Sequence, residues 1–214
     1  MQSRLYFFLL ALLCFSVVAG AQSDGWTLKN DKDGIKVYFK KTSDVYEVKL
    51  VTSIQSSLSG VIQLFNEVSN YPLWGYKVTS SRMLAKVSDR EMYYYSTFDF
   101  PWPLDDRDVV MHTKLTQDEK TKAIYSVSVA EPSYHPTQKN YLRMTNSNTK
   151  WTLIPGNNGW LYVEYYIYSS PGGSIPDWLV NMAIDVGPRE TIKNMKSILQ
   201  RGTYKNAKLA YIKE

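Results

Sequence analysis

Aromatic and apolar residues alternate with a period of two along most of this chain, and that pattern limits the possible folds more than any other feature. The sequence holds 17 tyrosines and 6 tryptophans in 214 residues. Side chains of a strand point alternately to its two faces, so this period is typical of β-strands. Short turns separate the segments and join antiparallel strands, because a parallel crossover needs about a dozen residues or more. We therefore predict one large antiparallel sheet from segments 34–39, 46–54, 77–87, 91–99, 107–116, 122–131, 141–153 and 160–169.

Two helices are predicted beside this sheet. The first spans about residues 57–69, where apolar residues recur at spacings of three and four. The second follows a Gly172-Gly173 turn, has Pro176 in its first turn, and runs almost to the C-terminus. Pro188 lies inside it and is expected to kink it, since proline removes one hydrogen bond. Its predicted apolar stripe consists of Ile175, Trp178, Leu179, Met182, Ala183 and Val186.

The segment 160–169 carries aromatic or apolar residues on both faces. A sheet with one solvent-exposed face would instead carry polar residues on that face. A sheet that curves around one long helix explains this pattern and leaves space for a ligand between the two. The order of elements indicates an α+β fold.

The first 21 residues have the composition of a signal peptide. A charged start with Arg4 precedes the apolar segment 5–18, and Ala19-Gly20-Ala21 is a small-residue cleavage site. We expect cleavage after Ala21 and export to the periplasm or the medium, with residues 22–214 forming one domain. Cleavage would remove Cys14, the only cysteine, so we expect no disulfide in the mature chain.

Composition and motifs argue against several functions. The net charge of +5 is spread over scattered lysines, which favours weak contact with anionic surfaces and not nucleic-acid binding. Neither His112 nor His135 belongs to a metal-binding spacing, so we expect no metal and no cofactor. There is no nucleophile elbow or phosphate-binding glycine loop.

Two alternatives to ligand binding stay open. An enzyme would need an acid–base pair in the cavity, drawn from Glu164, His112 or Asp99. A protein-interaction module would instead bury an apolar face against a partner.

Four ordered motifs resemble one family. They are Asn70-Tyr71-Pro72-Leu73-Trp74, the passage 92–110 with Pro101-Trp102-Pro103 and Arg107-Asp108, the passage 151–166, and Gly172-Gly173-Ser174-Ile175-Pro176-Asp177-Trp178. The chain resembles the START (StAR-related lipid-transfer) family over about residues 26–200, and its phosphatidylcholine-transfer branch in particular.

This resemblance implies a helix-grip fold whose hydrophobic tunnel holds one lipid without catalysis. It also implies a monomer that contacts membrane surfaces transiently. The candidate cavity and lid residues are Trp74, Tyr94, Met111, Thr113, Tyr166, Ile175, Trp178, Met182 and Val186. For Arg107 we favour a structural role at the corner between two strands over contact with a lipid headgroup.

The chain departs from the sterol-binding members of the family at two positions. Those members place a charged arginine–acid pair in the tunnel, but here Thr113 stands at the arginine position and Tyr94 near the acid position. The sterol-type pair is therefore expected to be absent. Phospholipid, sterol and other long-chain lipids all stay open as ligands.

Overall fold

Ten strands form one sheet in the computed structural model, which describes residues 25–42, 45–170, 176, 179–180 and 182–214, without the side chains of residues 45, 182 and 183. The strands are β1 Thr27–Lys32, β2 Ile35–Thr42, β3 Val45–Gln55, β4 Val78–Ser88, β5 Glu91–Phe98, β6 Asp106–Gln117, β7 Ile124–Ala130, β8 Tyr141–Arg143, β9 Asn146–Pro155 and β10 Trp160–Ser170. The helices are α1 Leu58–Asn66, α2 Gly187–Ile198 and the short α3 Gly202–Lys205. A 3-10 segment, Val68–Leu73, follows α1, and a π-helical segment, Met182–Val186, leads into α2. None of the described helices has the length and apolar character needed to cross a membrane.

The sheet runs in the order β1-β2-β3-β10-β9-β7-β6-β5-β4, and all neighbours in this order are antiparallel. The predicted α+β class, with a curved antiparallel sheet and a C-terminal helix, is confirmed. Two details differ from the prediction. Strand β1 was not foreseen, and the predicted strand 141–153 divides into β8 and β9, of which β8 pairs with β6 in parallel.

The side chains of α1 and α2 form one core with the sheet. Ile192 and Met195 of α2 join Leu58 and Ile62 of α1 and Leu50 of β3 in a single buried cluster. Each such side chain stabilises the fold by about 1.5–3 kcal/mol relative to exposure. This cluster fixes both helices against the middle strands and leaves the space beside it open to form a cavity.

The N-terminus of α1 is capped from two sides. The Ser57 hydroxyl accepts a hydrogen bond from the Gly60 amide at 3.0 Å. The Glu214 carboxylate accepts from the amides of Leu58 and Ser59, each at 2.9 Å. Because the first amides of a helix have no partner inside it, these contacts tie the C-terminal residue to the start of α1.

The C-terminal helix is not one continuous α-helix. The π-helical segment ends at Val186, and α2 follows directly at Gly187 with Pro188 in its first turn. A π-helical turn is wider than an α-helical one, so it rotates the side chains that follow. As a result Ile184 is buried, while Val186 is 44% exposed and lies outside the apolar stripe predicted for it.

Candidate functional site

A cavity of about 640 Å³ lies between the concave face of the sheet and the C-terminal helix. Because side chains of a strand alternate between its two faces, every second residue of β5 lines this cavity: Met92, Tyr94, Ser96 and Phe98. From the helical side the wall includes Leu179, Val180, Ile184, Gly187, Pro188 and Thr191. The volume is within the range of about 300–1,000 Å³ that is usual for sites that bind small molecules.

Three neutral hydroxyl groups meet on this wall, and we name Tyr94, Thr113 and Ser128 the hydroxyl cluster. Thr113 of β6 pairs directly with Ser128 of β7, and their hydroxyl oxygens are 2.7 Å apart. Both hydroxyls also interact with the Tyr94 phenol. Burial raises the pKa of this phenol to about 12. Next to this cluster, Thr149 of β9 pairs with Ser128, and Ser126 of β7 faces the same cavity.

Aromatic rings close the part of the wall next to the hydroxyl cluster. Trp151 stacks on Tyr165 with ring centroids 3.8 Å apart, and Tyr71 contacts both Trp74 and Tyr94 edge to face. The Tyr71 hydroxyl donates to the Phe65 carbonyl at 2.7 Å. Burial raises the pKa of Tyr71 and of Tyr165 well above the usual value. These phenols therefore stay neutral at physiological pH.

Two buried polar atoms of the cavity wall, Trp74 Nε1 and Ser169 Oγ, have no hydrogen-bond partner within the described part of the chain. A buried donor or acceptor without a partner costs about 1–3 kcal/mol, so both are suited to contact a polar atom of a ligand.

Charged residues occur only at one end of the cavity wall, as far as the described residues show. They are Lys41, Lys77 and Asp99, which we name the charged rim. Lys77 and Asp99 form an ion pair with each other, and about half of each side chain is exposed. The hydrogen bond to Asp99 is the main cause of the raised pKa of Lys77. The described interior of the cavity therefore holds hydroxyl groups but no formal charge.

Four of the nine predicted cavity residues line the cavity: Trp74, Tyr94, Met111 and Thr113. Ile175 and Trp178, as well as the side chain of Met182, lie outside the described residues. Val186 does not line the described cavity, for the reason given above.

Tyr166 is also not in the cavity wall. Its hydroxyl donates to Glu47 at 2.9 Å, and its ring contacts Trp26, so it lies on the outer face of β10. The cavity residue is its neighbour Tyr165. Both faces of this strand are aromatic, and the alternation itself does not say which face is inside.

Sequence reasoning missed the hydroxyl residues Ser126, Ser128 and Thr149. They occupy alternate positions on two neighbouring strands, which would have placed them on the same face. Serine and threonine in a strand usually indicate a solvent-facing position, so the residue types alone do not point to the interior.

Arg107 is the second residue of β6, directly after the corner, and does not line the described cavity. It is 2% exposed, its guanidinium lies 4.4 Å from the centre of the Phe100 ring, and it donates to the Asp105 carbonyl. Desolvation is the first cause of its lowered pKa. These contacts fit the structural role that the sequence favoured over headgroup contact.

The three residues considered for an enzyme do not meet in the cavity. His112 binds Glu91 at 2.7 Å and stacks on Tyr93 on the outer face, and Glu164 shares the outer face of β10 with Tyr166. Asp99 belongs to the charged rim. Within the described ranges, no group of three or more histidine, cysteine, aspartate or glutamate residues is placed to hold a metal ion.

Comparison with known proteins gives consistent matches. A family model described as the START domain matches residues 14–205. An uncharacterized protein of Pseudomonas aeruginosa is 30% identical over 194 residues, which cover 90% of this chain and 95% of that protein. The phosphatidylcholine transfer protein of Mus musculus is 24% identical over 183 residues, 82% of this chain and 84% of that protein. The crystal structure of a STAR-related lipid transfer protein fragment from Xanthomonas axonopodis superposes with a TM-score of 0.76 at 32% identity, covering 83% of this chain and all of that one.

Proposed function

The chain belongs to the START domain family, a family of lipid-binding domains, and we propose that it holds one lipid molecule in the cavity described above and carries it between membranes as a monomer. The observation that supports this most is the cavity itself, whose wall combines apolar and aromatic side chains with neutral hydroxyls. Each methylene group that leaves water for such a site stabilises the complex by about 0.8 kcal/mol, so acyl chains would bind without covalent chemistry.

We propose binding without catalysis. Hydrolysis or cyclisation needs an acid and a base that reach the same bound molecule. The polar groups of the described interior are neutral, and the candidate acids and bases Glu164, His112 and Asp99 are distributed over the outer face and the rim.

Extraction of the purified protein tests the proposal directly. The protein is washed free of detergent, extracted with organic solvent, and the extract is analysed by mass spectrometry against a protein concentration standard. We expect about one lipid molecule per chain, either as purified or after incubation with vesicles. An extract without lipid under both conditions would contradict the proposal and would favour an interaction module.

Membrane contact through the corner loop between β5 and β6 is part of the proposal. Phe100 and Pro101 of this loop line the cavity, while Trp102 beside them is 91% exposed. Leu73, next to the cavity residue Trp74, is 54% exposed. Tryptophan is enriched at membrane–water interfaces because its ring is apolar and its N–H is polar. We therefore propose that Trp102 inserts into the bilayer when lipid is exchanged.

Transfer of a fluorescent lipid between donor and acceptor vesicles separates this role from cargo binding. Trp102→Ala should slow transfer about tenfold, equivalent to 1.4 kcal/mol, while the amount of bound lipid at equilibrium stays the same. Trp160→Ala is the matched control, since Trp160 is also an exposed tryptophan. It lies at the first residue of β10, at the opposite end of that strand from the cavity residue Ser169. Equal transfer rates for the two variants would refute membrane insertion by Trp102.

We also propose that the chain is exported after removal of residues 1–21. The basis is the order of the charged start, the apolar segment and Ala19-Gly20-Ala21. N-terminal analysis of the protein recovered from the periplasm or medium should find Gln22 first. Recovery only from membranes with Met1 intact would refute cleavage.

A further inference from the structure

We propose that the lipid carried by this protein has an uncharged, hydroxyl-bearing polar end, and that this end binds at the hydroxyl cluster of Tyr94, Thr113 and Ser128 inside the cavity. The inference rests on the proposed lipid-binding function and specifies its ligand class. Diacylglycerols, sterols and long-chain alcohols have this chemistry, whereas phospholipids do not.

The distribution of charge in the cavity is the first argument. A phosphate group needs a cation or several backbone amides as partners once it leaves water, because an unpaired buried charge is strongly disfavoured. In the described wall, the cations Lys41 and Lys77 lie at the charged rim, and Lys77 is already paired with Asp99. A phosphate group seated at the hydroxyl cluster would therefore lack a countercharge among the described residues.

The bonding capacity of the cluster is the second argument. A hydroxyl donates one hydrogen bond and accepts up to two. The contact of 2.7 Å between Thr113 and Ser128 and the interactions of both hydroxyls with Tyr94 use donors of the cluster, whereas acceptor positions on the three oxygens remain for a further hydroxyl group. The raised pKa of Tyr94 keeps its phenol protonated and able to donate. The cluster therefore matches an alcohol, which also donates and accepts.

The position of the cluster is the third argument. Strand β5 places Tyr94 between Met92 and Phe98, with Phe98 next to the rim residue Asp99. On β6, Met111 and Val109 follow Thr113 toward the rim, and Leu179 and Ile184 line the same cavity from the helical side. A lipid bound with its polar end at the cluster would place its chains against these residues.

Trp74 adds a further donor at the same end of the cavity. Its ring lies 5.1 Å from that of Tyr71, which in turn lies 5.2 Å from Tyr94. The indole N–H of Trp74 is buried and has no partner within the described part of the chain. An oxygen atom of the cargo is the type of acceptor that this N–H lacks.

A matched pair of lipids tests the inference. Dioleoylglycerol and dioleoylphosphatidylcholine carry the same acyl chains and differ only in the polar end. The protein is purified in the form that its host produces and is delipidated. It is then incubated with vesicles that contain both lipids, each radiolabelled in trace amounts to the same activity. The protein is separated from the vesicles, and the bound radioactivity is counted. We expect at least about tenfold more dioleoylglycerol per protein after correction for its abundance in the vesicle, a preference equivalent to 1.4 kcal/mol.

Variants of the cluster locate the preference. The double variant Thr113→Val/Ser128→Ala should lose most of the preference, about tenfold, and a cooperative melting transition followed by circular dichroism should show that it folds. Tyr94→Phe provides a second, milder change at the same place. The control is Thr116→Val, which removes an exposed hydroxyl from the same strand β6 and should leave the preference unchanged.

The outcomes are distinguishable from failure of the proposed function. Equal binding of both lipids, or preference for dioleoylphosphatidylcholine, would overturn the inference and leave lipid binding intact. A preference for dioleoylglycerol that survives in the double variant and in Tyr94→Phe would overturn the assignment to the hydroxyl cluster. Failure to bind either lipid would instead contradict the proposed function.

Discussion

Replacing Arg143 should destabilise the protein more than any change at an exposed ion pair, because Arg143 neutralises a fully buried carboxylate. Asp108 is 0% exposed and accepts from Arg143 Nε at 2.8 Å and Nη2 at 2.9 Å, while the Tyr95 hydroxyl donates to it at 3.0 Å. Arg143 also donates to the carbonyls of Pro132 and His135. It thereby fixes the connection that leads into β8 and holds β8 beside β6.

The expected magnitude follows from this burial. In Arg143→Met the charge of Asp108 would remain buried with Tyr95 as its described partner, and breaking a buried pair from one side costs about 3–5 kcal/mol. For a domain of this size, each 1 kcal/mol lowers the melting temperature by about 2–4 °C, which gives a fall of about 6–20 °C. Thermal and urea denaturation measured by circular dichroism on delipidated protein would give both quantities.

Two further variants make the test specific. Lys86→Met breaks the Lys86–Asp89 pair, in which both side chains are more than half exposed, and it should change the melting temperature little because water screens an exposed pair. Adding Asp108→Leu to Arg143→Met removes the stranded charge and should restore part of the lost stability. A loss in Arg143→Met that is no larger than in Lys86→Met, or a double variant less stable than the single one, would refute the reasoning.

Three other outcomes are expected. Arg107→Ala should lower the melting temperature of lipid-free as well as lipid-loaded protein by the equivalent of about 1–3 kcal/mol; normal stability combined with selective loss of phospholipid binding would instead place Arg107 at the ligand. Glu214→Ala should cost about 0.5–2 kcal/mol in urea denaturation, because the amides of Leu58 and Ser59 lose their acceptor; an unchanged midpoint would contradict this capping. The raised pKa of Tyr94, about 12 instead of 10, means that its contribution to stability is complete below pH 10 and is lost between pH 10 and 12; Tyr94→Phe should reduce this alkaline loss, and an identical pH profile would refute it.

The sequence predicted the strands well wherever a strong alternation met a clear turn. Segment 91–99 corresponds to β5 Glu91–Phe98, and the proline corner at Pro101 marks the end of that alternation. Segment 160–169 corresponds to β10 in the same way. Local side-chain alternation and turn residues are sufficient for such boundaries, because both act over a few residues.

Features that depend on distant contacts were not predictable. The division of 141–153 into β8 and β9 coincides with the contact between Arg143 and Asp108, residues 35 positions apart in the sequence. Tyr165 lines the cavity in place of the predicted Tyr166. Both faces of β10 are aromatic, and only the packing of α1 and α2 decides which face is concave. The π-helical segment turns Val186 outward. A sequence pattern read with a regular α-helical period contains no signal for such a segment.

The small hydroxyl residues on the concave face explain both the space and the polarity of the cavity. A sheet that packs tightly against a helix fills the interface with valine, isoleucine and leucine, as happens here around Leu50 and Ile192. At Ser96, Ser126 and Ser128 the side chains are too short to reach the helix, so the same backbone arrangement leaves a void instead of a core. An alanine at these positions would leave the same space but a wall without donors, and a buried wall of that kind favours wholly apolar contents. Serine and threonine keep the space and add neutral hydrogen-bonding groups inside it, which is the combination that a lipid with an uncharged polar end requires.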